Sequence, residues 1–164
     1  MDTVEPYLTH AGESGSTNGV FVLVRTSNPG SDALQSQKLH DGRTVAEMIA
    51  DHVAELGRAD GRGGACGLSC VGAVVGATKS AEAAALRARM PDQYFLVPGY
   101  GAQGGTLDDI RPMLRRSAAG SPADAGIVVN ASRSVIYAFE PNAMDWTDQV
   151  RKAAVRFADE LRTL

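Results

Sequence analysis

Four runs of apolar, mostly β-branched residues alternate along the chain with stretches whose apolar residues recur at helical spacing. The runs are nearly continuous in apolar character, which is typical of strands buried on both faces of a parallel sheet. They predict strands at 19–25, 70–76, 94–97 and 126–130. The intervening segments predict helices at 44–56, 80–90, 107–116 and 142–164, after a brief helical piece around 4–10 and a Gly/Ser-rich link. This alternation indicates an α/β fold with helices outside a parallel sheet.

Several of the predicted helices carry recognisable end signals. Thr44 and Ser80 stand where N-caps are expected, Gly57 is a candidate C-terminal stop, and Pro91 ends the second long helix. The last helix carries a single apolar stripe, made of Trp146, Val150, Ala153, Ala154, Phe157 and Leu161.

Composition narrows the class of protein. With 164 residues, 44% hydrophobic and 21% charged, the chain predicts one globular domain over 1–164. A net charge of −3 argues against nucleic acid and against an anionic membrane as partners. No run approaches the ~18 apolar residues of a membrane span and no secretory signal opens the chain, so we expect a cytoplasmic protein.

Cysteines and histidines give no sign of a metal site. Cys66 and Cys70 form a lone Cys-x3-Cys pair without a nearby histidine, and we interpret both as structural or incidental buried small residues. His10, His40 and His52 lie scattered in polar sequence and are expected at the surface.

The loops after the strands should carry the chemistry, because parallel sheets of this kind place ligands beyond the carboxyl ends of their strands. These loops span Thr26–Gly30, Ala77–Ser80, Pro98–Gly105 and Asn130–Val135.

The third loop is rich in glycine. Gly101, Gly104 and their neighbours would let backbone N–H groups approach an anion, and Gln103 is the one long polar side chain. Four glycines in eight residues also describe a plain connector, so the loop alone leaves both readings open.

Two further loops offer polar groups. Arg133, just inside a predicted helix that begins near Ser132, could grip a phosphate where free N–H groups already favour an anion; a surface arginine is the alternative. Ser27 and Asn28 could hydrogen-bond a polar heterocycle, or simply form a turn. Anion-friendly loops after two consecutive strands favour phosphate binding.

Four segments occur in the order found in one known family. LVRTSNPG (23–30), VGAVVGAT (71–78), LVPGYGAQGG (96–105) and VNASRSVIYA (129–138) resemble strands 5 to 8 of orotidine 5′-phosphate decarboxylase in its longer bacterial form. The resemblance covers nearly the whole chain and implies half of a TIM (β/α)8 barrel. It also implies a usually homodimeric carboxy-lyase of pyrimidine biosynthesis that makes UMP and CO2 from orotidine monophosphate without metal or cofactor.

Carried over by position, the resemblance assigns roles to the loops. Ser27 would hydrogen-bond the pyrimidine ring. Gln103, in a loop with Gly101 and Gly104 that closes over substrate, would bridge phosphate and base. Arg133 and the backbone around Ser132 would hold the phosphate.

The family's catalytic Asp-x-Lys-x-x-Asp motif has no counterpart in this sequence. Ser36 stands where the first Asp would belong before Lys38, and neither Lys79 nor Lys152 has an Asp two residues before it. We therefore assign no catalytic residue and predict that the isolated chain is inactive. The first eight residues resemble a helix inside the family's barrel rather than a natural beginning, so we expect the start to be either an internal methionine of a longer reading frame or that of a split gene.

Other interpretations remain open. A half-barrel must pair with a second copy, pair with a separate N-terminal half, or fold poorly alone, since its edges and inner face are uncovered. The chain could also be a catalytically silent module that binds UMP-like phosphates. A different phosphate-barrel enzyme, such as a sugar-phosphate isomerase, is disfavoured because none of the four loops offers a His, Glu or Asp.

Overall fold

A four-stranded parallel sheet organises the protein. The computed structural model describes residues 3–8, 18–59, 62–64, 66–115 and 122–164. The strands follow one another across the sheet in chain order, as β1 (Val20–Arg25), β2 (Ser69–Val75), β3 (Gln93–Val97) and β4 (Ile127–Val129). Each strand lies within one residue of its predicted bounds, and the α/β class with parallel pairing is confirmed.

Helices fill the connections between strands. The α-helices are α1 (Asp32–Gln35), α2 (Val45–Gly57), α3 (Ser80–Arg89), α4 (Leu107–Ile110) and α5 (Trp146–Leu161). Short 3-10 turns lie at Pro29–Ser31, Ala77–Lys79, Arg111–Met113 and Pro122–Ala125, and one helical turn at 5–8 precedes the sheet. The Gly/Ser-rich link predicted after residue 10 falls mostly outside the described residues.

The start of α2 confirms the predicted cap, and its end corrects one. Thr44 Oγ1 accepts from the Glu47 N–H at 3.1 Å. The Glu47 carboxylate accepts from the Thr44 N–H at 2.7 Å, which completes a capping box. Gly57 is the last residue of the helix rather than a stop beyond it, and Arg58 is the C-cap. A Cβ on Gly57 would lie 2.6 Å from Gln93 Nε2, so this glycine allows the helix end to approach the sheet.

Two further end predictions are wrong in part. Lys79, not Ser80, occupies the N-cap of α3, because the 3-10 turn Ala77–Lys79 runs directly into the helix. The helix predicted to reach Arg116 ends at Ile110, and a 3-10 turn follows. Pro112 cannot donate to the carbonyl four residues back and its ring crowds that carbonyl. Residue 116 lies outside the described residues.

The last helix begins later than predicted. Asn142 adopts a left-handed φ of 66°, which is incompatible with a helix interior, and α5 starts at Trp146. Of its apolar stripe only Ala153 is fully buried, whereas Trp146 and Ala154 are exposed. The stripe is therefore only partly packed against the described residues.

The two faces of the sheet differ. On one face Val71, Ala73 and Phe95 are fully buried in the core formed with α2 and α3. On the other face Leu23, Val74, Leu96 and Val128 form one register layer, and Leu23 and Val128 are 61% and 45% exposed. This second surface, here called the open face, comprises Phe21, Leu23, Val74, Leu96 and Val128.

No helix within the described ranges combines the length and apolar character needed to cross a bilayer.

Candidate functional site

The strand-end loops meet at one edge of the sheet. The Gly76 N–H donates to the Arg25 carbonyl at 2.7 Å, and the Ala77 N–H donates to the Pro98 carbonyl at 2.8 Å. The Asn130 N–H reaches the Val97 carbonyl at 3.3 Å. These bonds extend the ladder past the strand ends, so the four predicted loops form one continuous rim.

The glycine-rich loop is shaped by left-handed residues. Gly99, Gly101 and Gly104 have φ values of 92°, 67° and 89°, a backbone conformation that residues with a Cβ rarely adopt. Its N–H groups are largely used internally: Gly101 donates to the Gly105 carbonyl at 2.9 Å and Gly105 donates to the Gly99 carbonyl at 3.1 Å. In this conformation the glycines set the path of the loop, and the exposed side chain of Gln103 is its polar group facing solvent.

Ser27 and Gln103 come together beside Gly99. A Cβ built on Gly99 would lie 3.2 Å from Gln103 Oε1 and 3.5 Å from Ser27 Oγ. Ser27 also packs directly over Gly76, whose virtual Cβ would be 2.8 Å from the Ser27 N atom, and Thr78 Oγ1 donates to the Ser27 carbonyl at 3.3 Å. Three strand-end loops therefore place the predicted base-binding and bridging side chains next to each other.

The loop after β4 borders the glycine-rich loop. A Cβ on Gly101 would lie 3.9 Å from Ser134 Oγ, which brings the neighbourhood of Arg133 beside the loop of Gln103. The predicted helix near Ser132 is instead a hydrogen-bonded turn, in which the Ile136 N–H donates to the Ser132 carbonyl at 2.7 Å. Within the described part of the chain, the N–H groups of residues 132–134 donate to no backbone carbonyl. The free donors expected at a helix start are therefore present without the helix.

A cavity of about 320 Å³ lies between these two loops and α5. Its lining includes Tyr100, Gly101, Thr106, Ser134, Arg156 and Phe157. Tyr100 joins loop to helix: its hydroxyl donates to Glu160 at 2.8 Å and its ring lies 5.7 Å from that of Phe157. Burial and the hydrogen bond to Glu160 raise the pKa of Tyr100. Sequence reasoning missed the α5 residues because no motif connects them to a loop more than fifty residues earlier.

A charged network beneath the first loop was also missed. Arg25 is 2% exposed and both oxygens of Glu82 accept from it at 2.9 Å. Arg25 also pairs with Asp32, and Lys79 Nζ lies 2.8 Å from the same Asp32 oxygen. Hydrogen bonds from Lys79 and then Arg25 lower the pKa of Asp32 to about 2. Asp32 and Glu82 stand in helices, beyond the strand-end segments in which sequence reasoning sought acids.

The remaining candidate residues are placed simply. Lys152 is exposed on α5, and Lys38 pairs with Thr44 in an isolated antiparallel bridge. Cys66 is exposed, so its expected burial is wrong, whereas Cys70 is half-buried in β2; both are free thiols. His40 and His52 lie at the surface as predicted, and His10 lies outside the described residues.

Comparison with known proteins identifies the family. The model of the orotidine 5'-phosphate decarboxylase / HUMPS family matches residues 1–144. The chain belongs to this family. It is 39% identical over 168 residues to the orotidine 5'-phosphate decarboxylase of Rhodopirellula baltica, covering 98% of this chain and 52% of that protein. It is 34% identical to the Clostridium kluyveri enzyme of the same name, covering 98% of this chain and 53% of the relative.

Solved structures in the family share the fold. The chain superposes on Leishmania donovani OMP decarboxylase with a TM-score of 0.71 at 32% identity, covering 99% of this chain and 52% of that one. With Leishmania donovani UMP synthase the TM-score is 0.61 at 32% identity, covering 94% and 36%. The chain spans about half the length of the curated relatives it matches. The predicted half-barrel of four alternating strands and helices is confirmed.

Proposed function

We propose that this chain is the nucleotide-binding half of an orotidine 5′-phosphate decarboxylase, which converts orotidine monophosphate to UMP and CO2 in pyrimidine biosynthesis. The observation that carries the proposal is the approach of Ser27 Oγ and Gln103 Oε1 to one point beside Gly99. A hydroxyl and an amide at one point suit a ligand that presents both a polar ring and a phosphate.

The proposed roles follow the loops. Ser27 hydrogen-bonds the pyrimidine ring, and Gln103 bridges base and phosphate from the loop shaped by Gly101 and Gly104. Arg133 and the backbone N–H groups of residues 132–134 hold the phosphate, since a guanidinium and backbone donors are strong partners for phosphate oxygens. Phosphate affinity far from the reacting carbon then helps drive loop closure and transition-state stabilisation. No metal or cofactor enters this proposal.

The chemistry itself requires groups that these residues do not supply. None of Lys38, Lys79 and Lys152 has an Asp two residues before it, and Lys79 is engaged by Asp32. In the family the motif lysine protonates the carbanion left by CO2, so we propose that this chain alone does not turn over substrate.

The free state of both cysteines supports a reducing, cytoplasmic location as part of the proposal.

The missing groups would come from an N-terminal half of the barrel. The open face and the outer edges of β1 and β4, which pair with no other described strand, are the surfaces such a half would cover. A second copy of the chain is the other candidate occupant. A two-fold axis along the barrel would then set β4 of one copy beside β1 of the next and close eight parallel strands.

Turnover measurements test the proposal. The chain is assayed for loss of orotidine monophosphate alone, and then after co-expression with the N-terminal half of the Rhodopirellula baltica relative. We expect activity only in the second preparation, and UMP binding by calorimetry in both. Turnover by the isolated chain would show that its own residues are catalytically sufficient. Absence of UMP binding in both preparations would reject the nucleotide site.

A silent UMP-binding module is the second candidate function, favoured by the lack of any Asp-x-Lys-x-x-Asp sequence in the chain. It predicts UMP binding without turnover, even when the N-terminal half is shown to associate by size-exclusion chromatography. Rescue of turnover by that half would reject it.

A further inference from the structure

A register shift at the end of β1 places a charged side chain among buried groups. Residues pair as Leu23 with Val74 and then Arg25 with Val75, so β1 contains one extra residue at Val24. Val75 belongs to the helix-covered face, and Arg25 opposite it is 2% exposed. Without the shift, strand alternation would direct residue 25 to the open face with Leu23.

The buried guanidinium is held on several sides. Its Nε and Nη2 atoms donate to the two carboxylate oxygens of Glu82 at 2.9 Å each, as a fork. Nη1 donates to Ser31 Oγ at 2.9 Å, and Nη2 pairs with Asp32 and lies 3.0 Å from Ser36 Oγ. Arg25 therefore ties the start of α3 to the segment from Ser31 to Ser36.

That segment in turn holds the backbone next to Ser27. Ser31 Oγ donates to the Thr26 carbonyl at 3.0 Å, and Gln35 Oε1 accepts from the Thr26 N–H at 2.9 Å. Both backbone polar groups of the residue before Ser27 are thus fixed by residues that Arg25 or its partners position.

We infer that Arg25 is a positioning residue that sets where the hydroxyl of Ser27 meets the heterocycle of a bound nucleotide. The inference rests on the proposed function, because it takes Ser27 as the group facing the base. A lysine at the same position would keep the positive charge but would lose the paired hydrogen bonds to Glu82. Its single ammonium group cannot replace a planar guanidinium that binds Glu82, Asp32 and Ser31 at once.

Comparison of two ligands distinguishes positioning from general support of the fold. UMP carries both the pyrimidine base, to which Ser27 would hydrogen-bond, and the phosphate. Ribose 5-phosphate carries the phosphate without the base. Calorimetry is performed with both ligands on the wild type, Arg25→Lys and Arg89→Lys. The control arginine also binds a carboxylate, since its Nη1 donates to both oxygens of Asp51, but it lies between α2 and α3.

We expect Arg25→Lys to lower UMP affinity roughly 3–10-fold, the range of one lost hydrogen bond, with ribose 5-phosphate affinity unchanged. Arg89→Lys should change neither. Gln35→Ala, which removes the acceptor of the Thr26 N–H but no charge, should repeat the UMP-selective loss and takes the place of Arg25→Lys if that variant does not fold. Equal losses for both ligands, or no loss for UMP, would overturn the inference while leaving the proposed function intact.

Amide hydrogen exchange gives a readout that needs no nucleotide. If the wild type binds neither ligand, the proposed function fails, but the Thr26 amide still reports on the network. Its exchange should accelerate at least about tenfold in Arg25→Lys relative to Arg89→Lys, because its acceptor is no longer held in place. Unchanged exchange at Thr26 would show that Arg25 does not position this loop.

Discussion

Ser27 and Gln103, 76 residues apart in sequence, both reach within 3.5 Å of the place where Gly99 would carry a Cβ. Gly99 has a φ of 92°, so a side chain there would be strained by the backbone conformation and would lie in tight contact with both groups. The absence of a side chain at Gly99 therefore leaves open the space that the Ser27 hydroxyl and the Gln103 amide both approach.

The substitution Gly99→Ala should damage both stability and binding. A left-handed Ala costs about 1–2 kcal/mol, and its methyl would press on Ser27 and Gln103, so we expect UMP affinity to fall at least about tenfold. Gly42→Ala is the matched control, because Gly42 has a φ of 87° and a Cβ built on it would have no atom of the described residues within 4 Å. Denaturant unfolding should show similar losses in the two variants, whereas calorimetry should show weakened UMP binding only in Gly99→Ala. Equal UMP affinities would separate Gly99 from the site.

The substitution Arg133→Ala should weaken UMP binding by about 1.5–3 kcal/mol, the range for a hydrogen bond to a charged group. Arg151→Ala is the control, since Arg151 is exposed on α5 and pairs with Asp148 three residues earlier in the same helix. Calorimetry at two salt concentrations measures both variants. An affinity equal to that of the control would remove Arg133 from the phosphate site.

The substitution Asp32→Asn should make the free energy of unfolding depend less on pH in the acid range. The pKa of Asp32 is about 2 in the folded protein, below its ordinary 3.8, because Lys79 and Arg25 bind its ionised form. Its contribution is therefore complete above the unfolded pKa and is lost as pH falls from about 5 towards 2. Urea midpoints measured across that range should fall less in Asp32→Asn than in the wild type. Parallel profiles would show that the network does not favour the charged carboxylate.

The substitution Gly57→Ala should destabilise the protein although alanine is the better helix former. Its Cβ would lie 2.6 Å from Gln93 Nε2 and 2.8 Å from Ser69 Oγ, both of which are buried residues of the sheet. Overpacking of this kind costs about 1–3 kcal/mol. A Cβ on Gly63 meets no described residue within 4 Å, so Gly63→Ala should be near neutral in the same thermal or urea unfolding measurement. A stabilised Gly57→Ala would mean that α2 can move away from the sheet at no cost.

The substitution Leu23→Lys should disturb assembly through the open face. Leu23 is 61% exposed there, whereas Leu34, 66% exposed on α1, provides a matched apolar position away from the sheet. Light scattering after size-exclusion chromatography should show the wild type heavier than its 17.2 kDa monomer. Leu23→Lys should shift it towards the monomer and Leu34→Lys should not. A monomeric wild type would remove the second copy as an occupant and leave the N-terminal half.

Local pattern was sufficient for the strands and for the cap of α2. Apolar runs of β-branched residues bounded by polar turns have few alternatives, and Thr44 with Glu47 three residues later forms a cap from groups adjacent in sequence. The pattern failed where neighbours outside the segment decided the outcome. Ser80 joined α3 because a preceding 3-10 turn took the N-cap position for Lys79.

The candidate site divides in the same way. Ser27, Gln103 and Arg133 were recognisable because strand-end loops with glycine and polar residues are visible in sequence, and the family resemblance named their roles. Arg25, Glu82 and Asp32 were not recognisable, since their contacts join residues up to 57 positions apart and depend on a register shift in β1.

The sequence by itself determined the alternation of strands and helices, the rim that carries the polar loops, and the family, because these depend on local periodicity and on short motifs. Only the tertiary structure decided that Ser27 and Gln103 approach one point beside Gly99, that Arg25 is buried beneath the loop of Ser27, and that one sheet face stays open. Those features arise from the packing of distant segments, which no local pattern encodes.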